Sequence, residues 1–171
     1  MTMDIVDKDT RSRMMRGIRG KNTAPEMALR LALHSRGMRY RLHGEVLPGK
    51  PDLVFRKYGA LVYVHGCFWH RHPGCRLAYN PKTREDFWRM KFELNVLRDQ
   101  ATMNKALSAG WRVATVWECA LRTNSHTEET AGVVVSWLRS SVSTLDIGAP
   151  RLAAVEYEVA CSSGRPPDRP K

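Results

Sequence analysis

Apolar positions along the chain recur in two periods, one helical and one extended. Met27 and Leu31, with His34 beyond them, lie at helical spacing, and Leu29 and Leu33 widen that stripe. Thr23 and Glu26 fit an S/T-x-x-E capping box, Pro25 is tolerated in a first turn, and Gly37 is a stop signal. A helix is therefore predicted from Thr23 to Gly37, with the cap as the plain role of Glu26. Met38 to Leu42 reads as a first strand, followed by turn signals at His43-Gly44 and Pro48-Gly49. Leu53–Arg56 and Leu61–Val64 are short β-rich runs with Tyr58-Gly59 between them, which predicts a hairpin. A two-residue loop there sets Lys57 opposite Ala60, Phe55 opposite Val62 and Asp52 opposite His65. One face then carries Leu53, Phe55, Val62 and Val64, and the other carries Asp52, Arg56, Tyr63 and His65.

Further on, Phe87, Met90, Leu94, Leu97 and Ala101 predict a long helix from about Thr83 to Ser108 that packs through this stripe and stops at Gly110. Trp88 and Phe92 fall off the stripe, either as a second packing face or, for Trp88 beside Arg84, Arg89 and Lys91, as a contact for nucleic acid. Trp111 to Trp117 reads as a strand. A last short helix, from Thr127 or Glu128 to Leu138, carries Val134, Trp137 and Leu138. Three segments follow: a basic arm over 1–22, a folded domain over 23–139, and a tail over 140–171. Ser, Pro, Gly and Arg dominate the tail, which predicts disorder, and Cys161 lies in it.

Charge narrows the partner. The chain has 171 residues, an ordinary apolar share of 43%, a formal charge of +11 and a pI near 10.0. Lys and Arg in such excess neutralise phosphates and release counterions, so nucleic acid is the expected partner. The segment holding Lys8, Arg11, Arg13, Arg16, Arg19 and Lys21, with Met14, Met15 and Ile18 among them, is either a disordered tail or an arm on the DNA backbone. No apolar run reaches the roughly 18 residues of a membrane helix, and the N-terminus lacks the apolar core of a signal peptide. The expected location is the cytoplasm, associated with the nucleoid. Disulfides are uncommon there, so four cysteines point to metal or to buried thiols.

The densest chemistry lies between Gly49 and Cys75. An acid beside a histidine, as Asp52 and His65, can bind a divalent cation and set up phosphodiester hydrolysis; a surface acid in a Pro-Asp turn is the alternative. Cys67, His72 and Cys75 form a C-x4-H-x2-C cluster just after a strand, and Cys119 follows another strand end. If those strands are neighbours, the four complete a closed, structural Cys3His zinc site. His70 could replace His72, and buried thiols are the alternative. Phe68-Trp69 stands between candidate ligands, where a rigid apolar pair could wedge into stacked bases or be buried.

PGKPDLVF, VHGCFWHRH, the FW pair at Phe87-Trp88 and GWRVATVWECALR together resemble the very-short-patch (Vsr-type) mismatch repair endonucleases, from about Asp7 to Arg122. The resemblance implies an α/β, restriction-endonuclease-like fold with a mixed central sheet flanked by helices. It implies a magnesium-dependent nick 5′ to the T of a T:G mismatch left by 5-methylcytosine deamination. It implies Asp52 as the main magnesium ligand and the Val64 carbonyl on the same ion. His65 and His70 would act on the attacking water and scissile phosphate, and Glu26 would support the metal shell through water. Cys67, His72, Cys75 and Cys119 would hold zinc. Phe68, Trp69 and Trp88 would wedge beside the mismatch, with the N-terminal segment, Met15 and Arg16 included, closing from the other side. Mismatch-repair proteins and a repair polymerase are the implied protein partners, around a monomer. The chain departs from the pattern in two places: Val64 stands where Thr can stand, and Pro73-Gly74 lengthens the His72–Cys75 spacing by one. Two other readings stay open, a restriction-type nuclease cutting both strands and a zinc-stabilised DNA-binding module without activity.

Overall fold

A computed structural model describes residues 21–42 and 47–149. Its described part is a mixed α/β fold: helix α1 (Ala24–Ser35), strands β1 (Arg41–Leu42), β2 (Leu53–Phe55) and β3 (Ala60–His65), helix α2 (Glu85–Ser108), strand β4 (Arg112–Trp117), helix α3 (Asn124–Arg139) and strand β5 (Thr144–Ile147). The strands form one sheet in chain order; β1–β2 and β2–β3 are antiparallel, and β3–β4 and β4–β5 parallel. A parallel pair needs a crossover, and α2 supplies the one between β3 and β4.

Period-two alternation gives the sheet two apolar faces. Leu53, Phe55, Ala60, Val62, Ala114 and Val116 pack against Leu29 and Leu33 of α1 and Ala131, Val134, Trp137 and Leu138 of α3. Val54, Leu61, Tyr63 and Val113 meet Ala106, with Met103 and Leu107, of α2. Side chains fully removed from water here contribute about 1.5–3 kcal/mol each before entropy is counted.

The cap is formed as expected: Thr23 Oγ accepts from the Glu26 amide, and Gly37 follows the helix at φ 77°. Five expectations are corrected. The hairpin turns through a 3-10 segment at Arg56–Tyr58 with Gly59 at φ 57°, not through two residues. Its register pairs Leu53 with Val62 and Phe55 with Ala60, a slip of two that keeps the paired strand residues on their expected faces but removes Asp52 from opposite His65, and Arg56 lies in the turn. On α1, Met27 and Leu31 are exposed, and the face that packs carries Glu26, Leu29, Arg30 and Leu33.

The stripe of α2 is also turned outward, with Phe87, Met90, Leu94, Leu97 and Ala101 exposed while Phe92 and Ala106 are buried. A helix of 24 residues is about 36 Å long, whereas a six-residue strand spans about 20 Å. The sheet therefore covers only the C-terminal part of α2, and the first turns pack on the loop that follows β3. Finally, the expected disorder from residue 140 does not hold over 140–149. β5 adds to the sheet, pairing Val113 with Thr144 and Val116 with Ile147. Hydrogen bonding to an open strand edge compensates for the polar composition there. The N-terminal arm, with Met15 and Arg16, the turn at His43-Gly44 and Cys161 lie outside the described residues.

Candidate metal cluster and active site

The register of two parallel strands builds the first centre. His65 pairs with Trp117 at the ends of β3 and β4, so Cys67 and Cys119, each two residues further on, emerge level with one another. The Cys67 amide donates to Glu118 Oε2 at 3.2 Å, tying the two strand ends together. The chain after Cys67 turns back, with the His72 amide donating to the Cys67 carbonyl and the Cys75 amide to that of His72. Arg71 reaches φ 56° in this turn.

These turns bring His72 Nδ1 to 3.6 Å from Cys67 Sγ and 3.3 Å from Cys119 Sγ. With Cys75 Sγ, the four ligand atoms all lie within 4.8 Å of one another. Tetrahedral zinc, with bonds near 2.3 Å to sulfur and 2.0–2.1 Å to nitrogen, sets its ligand atoms about 3.6–3.8 Å apart, so this cage could hold such an ion. Cys67 and Cys119 are buried, and burial pushes both thiols up. A cation among the sulfurs reverses that preference by binding the thiolates. The inserted Pro73-Gly74 is exposed and accommodated in the turn before Cys75.

The second centre lies on the α2 face of the sheet. Asp52 is half-buried, and its Oδ2 accepts from the Val64 amide at 2.7 Å. Its other oxygen accepts no hydrogen bond from the described residues. Burial pushes the Asp52 carboxyl up to about 6; the Val64 amide opposes this, the charge of Glu26 adds to it, and Arg30 and His70 oppose it. Burial, and then the Asp52 charge, raise Tyr63 to about 12. Glu26 is buried and both caps and pairs: it accepts from the Thr23 hydroxyl at 3.0 Å, the Asn22 amide at 2.9 Å and Arg30 Nη2 at 3.1 Å. A buried carboxyl and a half-buried one thus share the charge of a single guanidinium, an arrangement that suits a hard cation taking oxygen ligands.

The histidines complete this centre. His65 and His70 stack with centroids 4.0 Å apart and planes 10° from parallel. His70 Nδ1 lies 2.6 Å from Asp99 Oδ2. Burial, and then the charge of His70, lower His65 to about 4, so it is a neutral imidazole at neutral pH. His65, His70 and Asp99 are close enough together for a metal. However, an imidazole ligates within its own ring plane, and two stacked, nearly parallel rings with centroids 4.0 Å apart offer no such common point. The arrangement suits moving a proton: with the Asp99 carboxyl oxygen accepting from Nδ1, Nε2 is the nitrogen left to accept.

Asp99 was missed in the sequence, and so was Arg30. Asp99 is 29 residues from His70, on the helix face opposite the expected stripe, and no spacing rule connects them. Arg30 could have been read as the i,i+4 partner of Glu26.

Beside both centres lies an aromatic cluster. Phe68 meets Trp69 at 5.0 Å, Tyr79 at 5.0 Å, Trp88 at 5.6 Å and Phe92 at 5.1 Å, mostly edge to face. Phe68, Trp69 and Trp88 are half-buried, so the expected wedge residues are brought together and remain accessible. Lys91 Nζ stands 5.3 Å from the Trp69 ring and 5.5 Å from Trp88. The Asn95 amide group donates to the Trp69 carbonyl and anchors this loop to α2.

Residues 3–76 match the sequence model of the family described as DNA mismatch endonuclease Vsr. Type II nicking enzyme V.XorIIP of Xanthomonas oryzae pv. oryzae is 48% identical over 118 residues, covering 69% of this chain and 86% of the relative. DNA mismatch endonuclease Vsr of Escherichia coli K12 is 44% identical over 119 residues, covering 70% of this chain and 76% of the relative. Type II nicking enzyme V.NmeAIP of Neisseria meningitidis is 36% identical over 139 residues, covering 81% and 99%.

Proposed function

The chain belongs to the Vsr family of DNA mismatch endonucleases, and we propose that it nicks one strand of duplex DNA 5′ to the T of a T:G mismatch, with magnesium, in very short patch repair. The observation that carries this reading is a half-buried Asp52 near enough to feel the charge of His70, itself held by Asp99, beside an accessible aromatic cluster. A divalent cation bound by Asp52, the Val64 carbonyl and water held by Glu26 would neutralise charge on the scissile phosphate. His70, oriented by Asp99, would take the proton of the attacking water on Nε2 as the water oxygen bonds to phosphorus; the far P–O bond breaks and the departing oxygen takes a proton from solvent water. His65, neutral at working pH, donates a hydrogen bond to the phosphate without adding a second positive charge beside His70.

Phe68, Trp69 and Trp88 enter the base stack. A mismatched pair unstacks at lower cost than a matched one, which favours insertion there. Lys91 and the N-terminal arm hold the backbone on either side. The Cys67, His72, Cys75 and Cys119 cage would hold zinc, which would fix the loop that carries Phe68, Trp69 and His70. The order of the strands is compatible with a restriction-endonuclease-like sheet. The names of the Xanthomonas and Neisseria relatives, nicking enzymes both, support cleavage of one strand over cleavage of two. Repair proteins would receive the nicked product.

The test is a labelled duplex with one T:G pair in a CTWGG-like context and its C:G control, incubated with magnesium or EDTA. A single nick 5′ to the T, dependent on magnesium and on Asp52, is expected. Equal cutting of both duplexes, or cutting of both strands, would replace this reading with a restriction-type nuclease. Binding without cleavage would leave a DNA-binding module.

A further inference from the structure

Trp117 is the side chain that touches both centres. Its ring stacks on His72 with centroids 4.3 Å apart and planes 9° from parallel, and it meets His65 edge-on at 5.4 Å. It is buried, at 7% exposure. Its indole Nε1–H donates to Asp146 Oδ1 at 2.8 Å. Asp146 belongs to β5, the outer strand that the polar composition of the tail concealed and that lies outside the residues matched by the family model.

β5 and the two residues after it make two further contacts with the cysteine cage. The Ala149 amide donates to Cys119 Sγ at 3.0 Å. A Cβ on Gly148 would stand 2.4 Å from His72 Cε1 and 2.7 Å from Nε2, so the imidazole lies where any larger residue would put its side chain. Alternation explains why these groups converge. His65 pairs with Trp117, and the β4–β5 register, Val116 with Ile147, carries the same row on to Gly148. The catalytic imidazole, the indole and the glycine that admits the metal-binding imidazole thus stand side by side on one face of the sheet.

We infer that Asp146 and Gly148 are positioning residues that set the indole of Trp117 and, through it, both the metal-binding His72 and the catalytic His65, so that the C-terminal strand is a working part of both centres. The inference rests on the Cys3His metal site and on the role of His65 proposed above. Asp146 holds the indole in its plane, the indole wall fixes the tilt of His72 and the edge contact of His65, and Gly148 leaves the space that His72 fills. Outer partners of this kind alter metal affinity by about 10–100-fold when removed.

The experiment uses the full chain loaded with zinc and measures two quantities: the rate of metal release to a chromogenic chelator, and kcat and KM on the T:G duplex. Asp146→Ala is expected to release metal about 10-fold faster and to lower kcat with little change in KM. Asp146→Asn, which keeps the acceptor oxygen, should stay close to the parent. Gly148→Ala should release metal faster than either. Trp117→Phe keeps a ring and loses the N–H, so Asp146→Ala should add little on top of it. Asp146→Ala at parental release rate and kcat, or full additivity with Trp117→Phe, would overturn the inference. If the parent chain itself retains no metal, the Cys3His reading fails and takes this inference with it. If the parent retains metal and only the β5 variants behave as the parent does, the metal site stands and β5 has no part in it.

Discussion

Cys67, His72, Cys75 and Cys119 come from one short loop and one turn, whereas Asp52, His65, His70 and Asp99 come from a strand start, a strand end, a loop and a long helix. The first set is soft, closed and partly sealed by β5. The second is an acid with a spare oxygen and an oriented imidazole, open beside an accessible aromatic cluster. A closed four-ligand cage has no coordination position for a substrate, so it can only hold structure. An incomplete oxygen set beside a proton acceptor leaves room for water and phosphate, which is why the chemistry is proposed there. The two clusters lie within one loop of each other, and the proposed division of tasks rests on their difference in hardness and closure.

That division can be broken most severely at the cage. Stripping the metal with a strong chelator, or Cys67→Ser, should lower the melting temperature by roughly 10 °C or more, since a structural site contributes several kcal/mol to folding. Calorimetry of the stripped and reloaded protein reads this, and unchanged melting would make the cage dispensable. Asp52→Ala should do the opposite. It should reduce nicking by about 10³-fold or more, since cation binding supplies several kcal/mol, without lowering the melting temperature or the metal content of the cage. Single-turnover cleavage with metal analysis on the same sample separates the two effects, and loss of zinc in Asp52→Ala would erase the distinction.

Asp99→Asn should lower kcat by about 10²-fold, within the range of an oriented general base, with DNA affinity retained. Cleavage and gel-shift titrations run together would show it, and an unchanged kcat would remove Asp99 from the mechanism.

The smallest expected effect concerns stability and pH. Asp52 is raised from 3.8 in the unfolded chain to about 6 in the fold, mainly by burial. A group raised in this way contributes stability that is fully present below 3.8 and lost as pH rises through 6. At pH 7.5, without magnesium, Asp52→Asn should therefore be more stable than the parent by about 2–3 kcal/mol, and the gap should close on acidification from 6 to 4. Denaturant melts across that range test the sign. A constant gap would mean that the carboxyl is not strained by its setting.

What could be read from the chain is what short covalent distances and the two periods control. The Thr23–Glu26 cap, the faces of the hairpin and the Cys67–His72–Cys75 cluster each lie within a few residues or depend only on odd and even positions. A slip of two leaves parity intact, so the apolar face of β2–β3 was read correctly although the register was not. Three-dimensional packing decided the rest. The turned-out stripe of α2 reflects a helix longer than the sheet beneath it, and the buried setting of Glu26 near Asp52 reflects the docking of α1. The His70–Asp99 couple joins groups 29 residues apart across a crossover, and β5 gains order only from the strand edge that β4 presents. Periodicity specifies which side of an element is buried when a neighbour is present. Only the assembled sheet determines where the neighbours are and which distant acid a histidine meets.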